Sequence, residues 1–142
     1  MVNIYGPQDP SAKATLWNRI HDFMRHNNGA FVLFGDLNEV RFDFEPLGSA
    51  FSQAEGNTFN TFITNNGLIE LPMGSRLFTW MNKAGTKLSK LDRFLLSENV
   101  IEVLPDAQVT TLDRLWSDHN PILFHCNKSD YGPTPFRLYY SH

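Results

Sequence analysis

Three short stretches carry side chains able to do acid–base and metal chemistry: "GDLN" with Asp36 and Asn38, "LDR" with Asp92, and "SDHN" with Asp118 and His119. Each abuts an apolar run, "FVLF" before the first, "FLL" after the second and "PILF" after the third. An ionised carboxylate beside such a run is costly unless it is paired or bound to a metal. Singly, each residue has an ordinary explanation. Asp36 is then a turn acid after a strand, Asp92 a local partner of Arg93 on a solvated edge, and His119 a surface histidine in a Ser-Asp-Asn turn. Together they make up the set that one reaction needs. A carboxylate and an amide place a water, a histidine meets phosphate charge, an acid orients that histidine, and a further acid serves a hard cation.

These residues need a scaffold, and the bulk numbers bound it. A chain of 142 residues, 42% hydrophobic and 19% charged, is long enough for one domain with its own core and is far from a disordered profile. Aromatic residues, with 12 Phe among them, favour strands and dense packing. No apolar stretch has the length of a membrane span, and no secretory signal pattern opens the chain. The single Cys126 excludes an internal disulfide framework and a cysteine metal cluster. A net charge of −3 argues against binding nucleic acid through phosphate neutralisation alone, but not against an acidic metal site that holds one phosphate.

The elements follow from periodicity and punctuation. "VNIY" reads as a strand broken at Gly6-Pro7, and residues 11–26 as a helix with Leu16, Ile20, Phe23 and Met24 inward and Ser11 as N-cap. "AFVLFGD" is a fully buried strand, and residues 37–56 a long irregular connection. "NTFNTFITNNGL" is a short helix burying Phe59, Phe62 and Ile63, and "LIELP" a short strand. A hairpin turns around Asn82-Lys83-Ala84-Gly85. Ser97 opens a brief helix to Val103, then "AQVTTL" and "NPILFHC" are strands, and 127–142 is a tail or linker. The order predicts a mixed α/β layered domain.

"NIYGP", "GDLNEV", "LDRFLLS" and "SDHNPI", in this order, resemble the endonuclease/exonuclease/phosphatase superfamily. "LFTWMNKAG", "SKLDRFLLS" and "YGPTPFR" are similar to the endonuclease domain of LINE-type non-LTR retrotransposons, particularly of plants. The resemblance implies part of a four-layer α/β/β/α sandwich, with residues 1–126 as the C-terminal portion of that domain. It implies hydrolysis of a DNA phosphodiester, the nick that primes reverse transcription, with Mg²⁺ or Mn²⁺ as cofactor. DNA and a reverse transcriptase domain of a parent polyprotein are the implied partners, with no membrane, and a nuclear location follows only from that substrate.

Roles are likewise implied by the resemblance. Asp36 polarises the attacking water and Asn38 holds it in line. His119 stabilises the charge on a non-bridging phosphate oxygen, Asp92 orients His119, Asp118 helps ligate the metal, and Tyr5 hydrogen-bonds the scissile phosphate. Trp80 and Asn82 of the hairpin are candidate substrate contacts, though an aromatic on a sheet face explains Trp80 equally well. The superfamily's domain also has an earlier section, which brings an Asn and the principal metal-ligating Glu. Glu39, Glu45, Glu55 and Glu70 all follow the Asp36 strand, in the wrong order to substitute. The expectation is therefore a chain lacking the N-terminal strands and impaired as a nuclease. Two alternatives stand beside it: a non-catalytic retroelement remnant that at most binds DNA or a partner chain, and a phosphatase or other phosphodiesterase of the same superfamily.

Overall fold

Strand β1 (Val2–Tyr5) lies parallel to β2 (Val32–Asp36), with Tyr5 opposite Asp36, in a computed structural model that describes residues 1–74, 77–114 and 117–126 and the backbone of 137–140. Between them runs helix α1 (Pro10–His26), a crossover of the kind that parallel neighbours require. Strand β7 (Asp92–Ser97) flanks β2 on its other side, antiparallel, and β4 (Leu68–Glu70) flanks β7. The sheet order is thus β1-β2-β7-β4. All five residues of β2 are buried, because both faces of this sheet are covered.

On one face lie α1 and helix α2 (Gln53–Asn65). Trp17 stacks on Phe59 and Phe62 at 4.8 and 5.1 Å between ring centroids, above Leu33, Leu37 and Leu95. On the other face Phe34, Phe94 and Leu96 meet Val109, Ile122 and Phe124 of a second sheet. That sheet is formed by β8 (Ala107–Thr111), β9 (Ile122–Cys126) and β10 (Arg137–Tyr140), in the order β10-β9-β8. Helices, sheet and sheet make three layers, and successive side chains of β2 and β7 alternate between the two cores. A small third sheet joins β3 (Pro46–Leu47), β6 (Leu88–Ser89) and β5 (Trp80–Met81). Helix α3 (Glu98–Val103) packs Val100 against the second core.

Several details differ from the sequence reading. Asp9, not Ser11, caps α1: its carboxylate accepts from Ala12 N–H at 2.9 Å, and Pro10 occupies the first turn, where a missing N–H does no harm. Phe23 is 49% exposed, and Trp17 takes the central place in the helix–helix contact. Helix α2 starts earlier than expected because Ser52 accepts from Glu55 N–H. The expected irregular connection also contains β3. Within the segment read as a tail, Arg137–Tyr140 pairs antiparallel with β9, while 127–136 and 141–142 lie outside the described residues.

Candidate active site

Asp36 ends β2 and Asp92 begins β7, and the register of the ladder sets them directly opposite each other. Partners in an antiparallel pair point to the same face, here the one toward the second sheet. His119 arrives from the loop before β9. Its Nδ1 donates to Asp92 Oδ2 at 2.7 Å, and its Nε2 lies 3.4 Å from Asp36 Oδ2. All three are buried, so three segments remote in sequence converge. Burial pushes the imidazole toward the neutral form. The hydrogen bond to Asp92, followed by the charges of Asp92, Asp36 and Asp118, outweighs it and raises His119 above its ordinary pKa.

Backbone geometry fixes these groups. Gly35 has φ +131°, and a Cβ there would collide with the Ile4 carbonyl, so only glycine lets β1 lie this close beside Asp36. Asn38 adopts φ 55°, a left-handed conformation that asparagine tolerates. Its N–H donates to Asp36 Oδ1 at 3.0 Å, its side-chain amide donates to Gly6 O at 3.0 Å, and Lys13 Nζ donates to its carbonyl at 3.0 Å. Asp36 and Asn38 are thereby held as one unit.

Thr79 is the residue the sequence reading missed. It is fully buried, its Oγ1 accepts from both Leu91 N–H and Asp92 N–H, and its carbonyl accepts from Asn120 N–H at 2.7 Å. It thus ties the start of β7 to the loop that delivers His119, next to a β-bridge between Trp80 and His119. Ser117 assists by accepting from His119 N–H at 3.1 Å. The only sequence signal was a hydroxyl inside the otherwise apolar "LFTWM".

The other predicted residues sit around this centre. Tyr5 is exposed at the end of β1, opposite Asp36 in register. Asp118 lies at the surface, and its Oδ2 accepts from Trp80 Nε1 at 3.0 Å. Asn82 serves its own hairpin: its Oδ1 accepts from Thr86 N–H and Lys87 N–H, both at 2.9 Å. Arg93 does not partner Asp92. It points to the helix face, where it pairs with Glu45 at 2.6 Å and Glu70 at 3.0 Å.

Asp36, Asp92 and His119 form a possible metal centre, with one ligand atom from each lying within 4.8 Å of the others. Two carboxylates suit a hard divalent cation, and Asp92 Oδ1 is buried with no hydrogen-bond partner among the described residues, an atom that a cation would satisfy. The later glutamates are committed elsewhere: Glu39 and Glu55 to Lys13, Glu45 to Arg93, and Glu70 to Arg41, Lys90 and Arg93.

Comparison with known proteins identifies the family and the fold. A family model described as endonuclease-reverse transcriptase matches residues 1–123. The endonuclease domain of TRAS1, a telomere-specific non-LTR retrotransposon, superposes with TM-score 0.60 at 19% identity, covering 90% of this chain and 56% of that one. The 3′ phosphatase NExo from Neisseria, bound to product DNA hairpin, superposes with TM-score 0.65 at 21% identity, covering 84% of this chain and 58% of that one. At these identities the likeness is one of fold, and the chain spans under three-fifths of the length of either structure. No curated protein matches the sequence.

Proposed function

Because the chain belongs to the endonuclease-reverse transcriptase family, of the endonuclease/exonuclease/phosphatase superfamily, we propose that it is a divalent-metal-dependent DNA phosphodiesterase domain of retrotransposon type. The observation that carries the reading is the convergence of His119 on Asp92 and Asp36, at 2.7 and 3.4 Å. In this reading Asp92 fixes the tautomer and plane of His119, leaving Nε2 to donate to a non-bridging phosphate oxygen as charge develops there. Asp36 accepts the proton of the attacking water, and Asn38, locked to it, aligns that water. Tyr5 donates its phenol to the phosphate from the rim, Trp80 and Asn82 meet the nucleic acid, and Asp118 lends charge to the metal.

Mg²⁺, with Mn²⁺ as substitute, would be held by Asp36 and Asp92 with Asp118 nearby. When bound it neutralises phosphate charge. We propose reduced activity for this chain by itself, since its later glutamates are tied up in ion pairs and leave few carboxylates for the cation. The same feature supports a second reading, a non-catalytic retroelement remnant that binds DNA or a partner chain such as a reverse transcriptase domain. NExo, a 3′ phosphatase on the same fold, supports a third, phosphatase action.

A plasmid-nicking assay separates them. Weak Mg²⁺-dependent nicking that disappears in EDTA and in His119→Ala is the expected result. Binding without nicking would favour the remnant. Release of phosphate from a 3′-phosphorylated oligonucleotide, with the plasmid intact, would favour the phosphatase.

A further inference from the structure

The turn that follows Asn38 and Glu39 carries two large rings that the proposed chemistry does not use. Phe42 and Phe44 are 39% and 59% exposed, yet stacked on each other with centroids 5.4 Å apart and planes within 11°. The Arg41 guanidinium lies 4.9 Å from the Phe42 centroid, which extends the stack with a cation. The stack is fixed from beneath. Arg41 donates to Asn60 Oδ1 and to Glu70 Oε1, and Asn60 donates back to the Arg41 carbonyl. Glu45 N–H closes the turn on the Phe42 carbonyl at 3.1 Å, and buried Arg93 grips the Glu45 carboxylate. Exposed rings would ordinarily sample many rotamers. Here a buried ion network sets the backbone that presents them.

We infer that Phe42 and Phe44 form a stacking platform for an unpaired nucleobase flanking the scissile phosphate, an inference that rests on the phosphodiesterase reading above. Bases stack on aromatic rings and guanidinium planes regardless of sequence. Asp43, exposed and placed between the two phenylalanines in sequence, repels phosphate, so the fit is to a base and not to the backbone. Phe42 is four residues from Asn38, so its Cα lies at most about 14 Å away. That is about four steps along one DNA strand. A fully paired duplex hides its base faces, so the platform favours single-stranded or frayed DNA near the cleavage position.

The test is fluorescence anisotropy with the full chain in EDTA. The probes are a labelled oligothymidylate of about 12 nucleotides and the same strand in a duplex. The doubly substituted Phe42→Leu/Phe44→Leu protein should lose about tenfold or more in affinity for the single strand, change little toward the duplex and keep its thermal midpoint. Phe44→Trp should retain wild-type affinity. Unchanged single-strand binding, or an equal loss for both probes, overturns the platform while Mg²⁺-dependent nicking by wild type leaves the phosphodiesterase reading standing. If wild type binds neither probe and does not nick, both fall. If the double substitution abolishes self-association in sedimentation without touching DNA binding, the rings serve a second copy of the chain and the platform is wrong.

Discussion

Asp36 and Asp92 are register partners across the β2–β7 ladder, two buried carboxylates facing one another with the His119 imidazole against both. Like charges directly opposite in a sheet repel, and burial adds to the cost. A protonated imidazole relieves both. The pairing therefore predicts that His119 and its two acids behave as one electrostatic unit.

Asp92→Asn should lower the His119 pKa, because it removes the nearest negative charge and leaves a neutral, weaker acceptor in place of the carboxylate. A ¹H NMR titration of the imidazole in EDTA reads this directly. A midpoint that does not fall would show that burial, not Asp92, governs the histidine. In the nicking assay His119→Ala should cost on the order of 10²–10³-fold in rate, the usual loss for removing one donor to a developing oxyanion.

Thr79→Val keeps the shape but leaves the amides of Leu91 and Asp92 without their shared acceptor. About 1–3 kcal/mol of stability should be lost for each buried donor orphaned, read by urea denaturation. Thr79→Ser restores the oxygen and should recover most of it. If Val is neutral, the hydroxyl does not hold the start of β7.

Much of this centre was legible in the sequence. The apolar runs flanking Asp36, Asp92 and His119 marked strands, and strand ends are where a sheet can hold side chains rigidly. Thr79 was not legible, because a hydroxyl becomes a brace only once the hairpin folds back on β7. The ion network was hidden too: Glu45, Glu70, Lys90 and Arg93 come from two loops and two strands, with no local spacing to join them. The cap of α1 was misread by two residues, since Pro10 inside the first turn moves the cap back to Asp9.

Glu70 supplies a pH prediction. Burial alone would raise its pKa, but the charges of Arg93 and Lys90 and hydrogen bonds from Lys90 and Arg41 hold it at about 2, against an ordinary 4.5. A carboxyl depressed on folding stabilises above its unfolded pKa, so the contribution is full above about 4.5 and is lost as pH falls toward 2. The depression corresponds to about 3 kcal/mol. Glu70→Gln should flatten the acid limb of the stability–pH profile between those values. An unchanged limb would place the acid sensitivity elsewhere.

Arg93→Met should destabilise by about 3–5 kcal/mol, because it strands the Glu45 and Glu70 carboxylates in the interior. Replacing Glu45 and Glu70 by Gln in the same protein should recover part of the loss. Thermal denaturation of the single and triple variants measures both effects. No recovery would mean that the guanidinium acts by filling space beside Phe59.

Every residue of β2 is enclosed, from Val32 to Asp36. A saturation library across the chain should therefore contain a desert that starts at this strand and runs on through buried Leu37 and Glu39 before the turn relaxes it. Copies of such a domain accumulating random changes would be expected to diverge first in how they greet a substrate, and last in the strand that presents the acid.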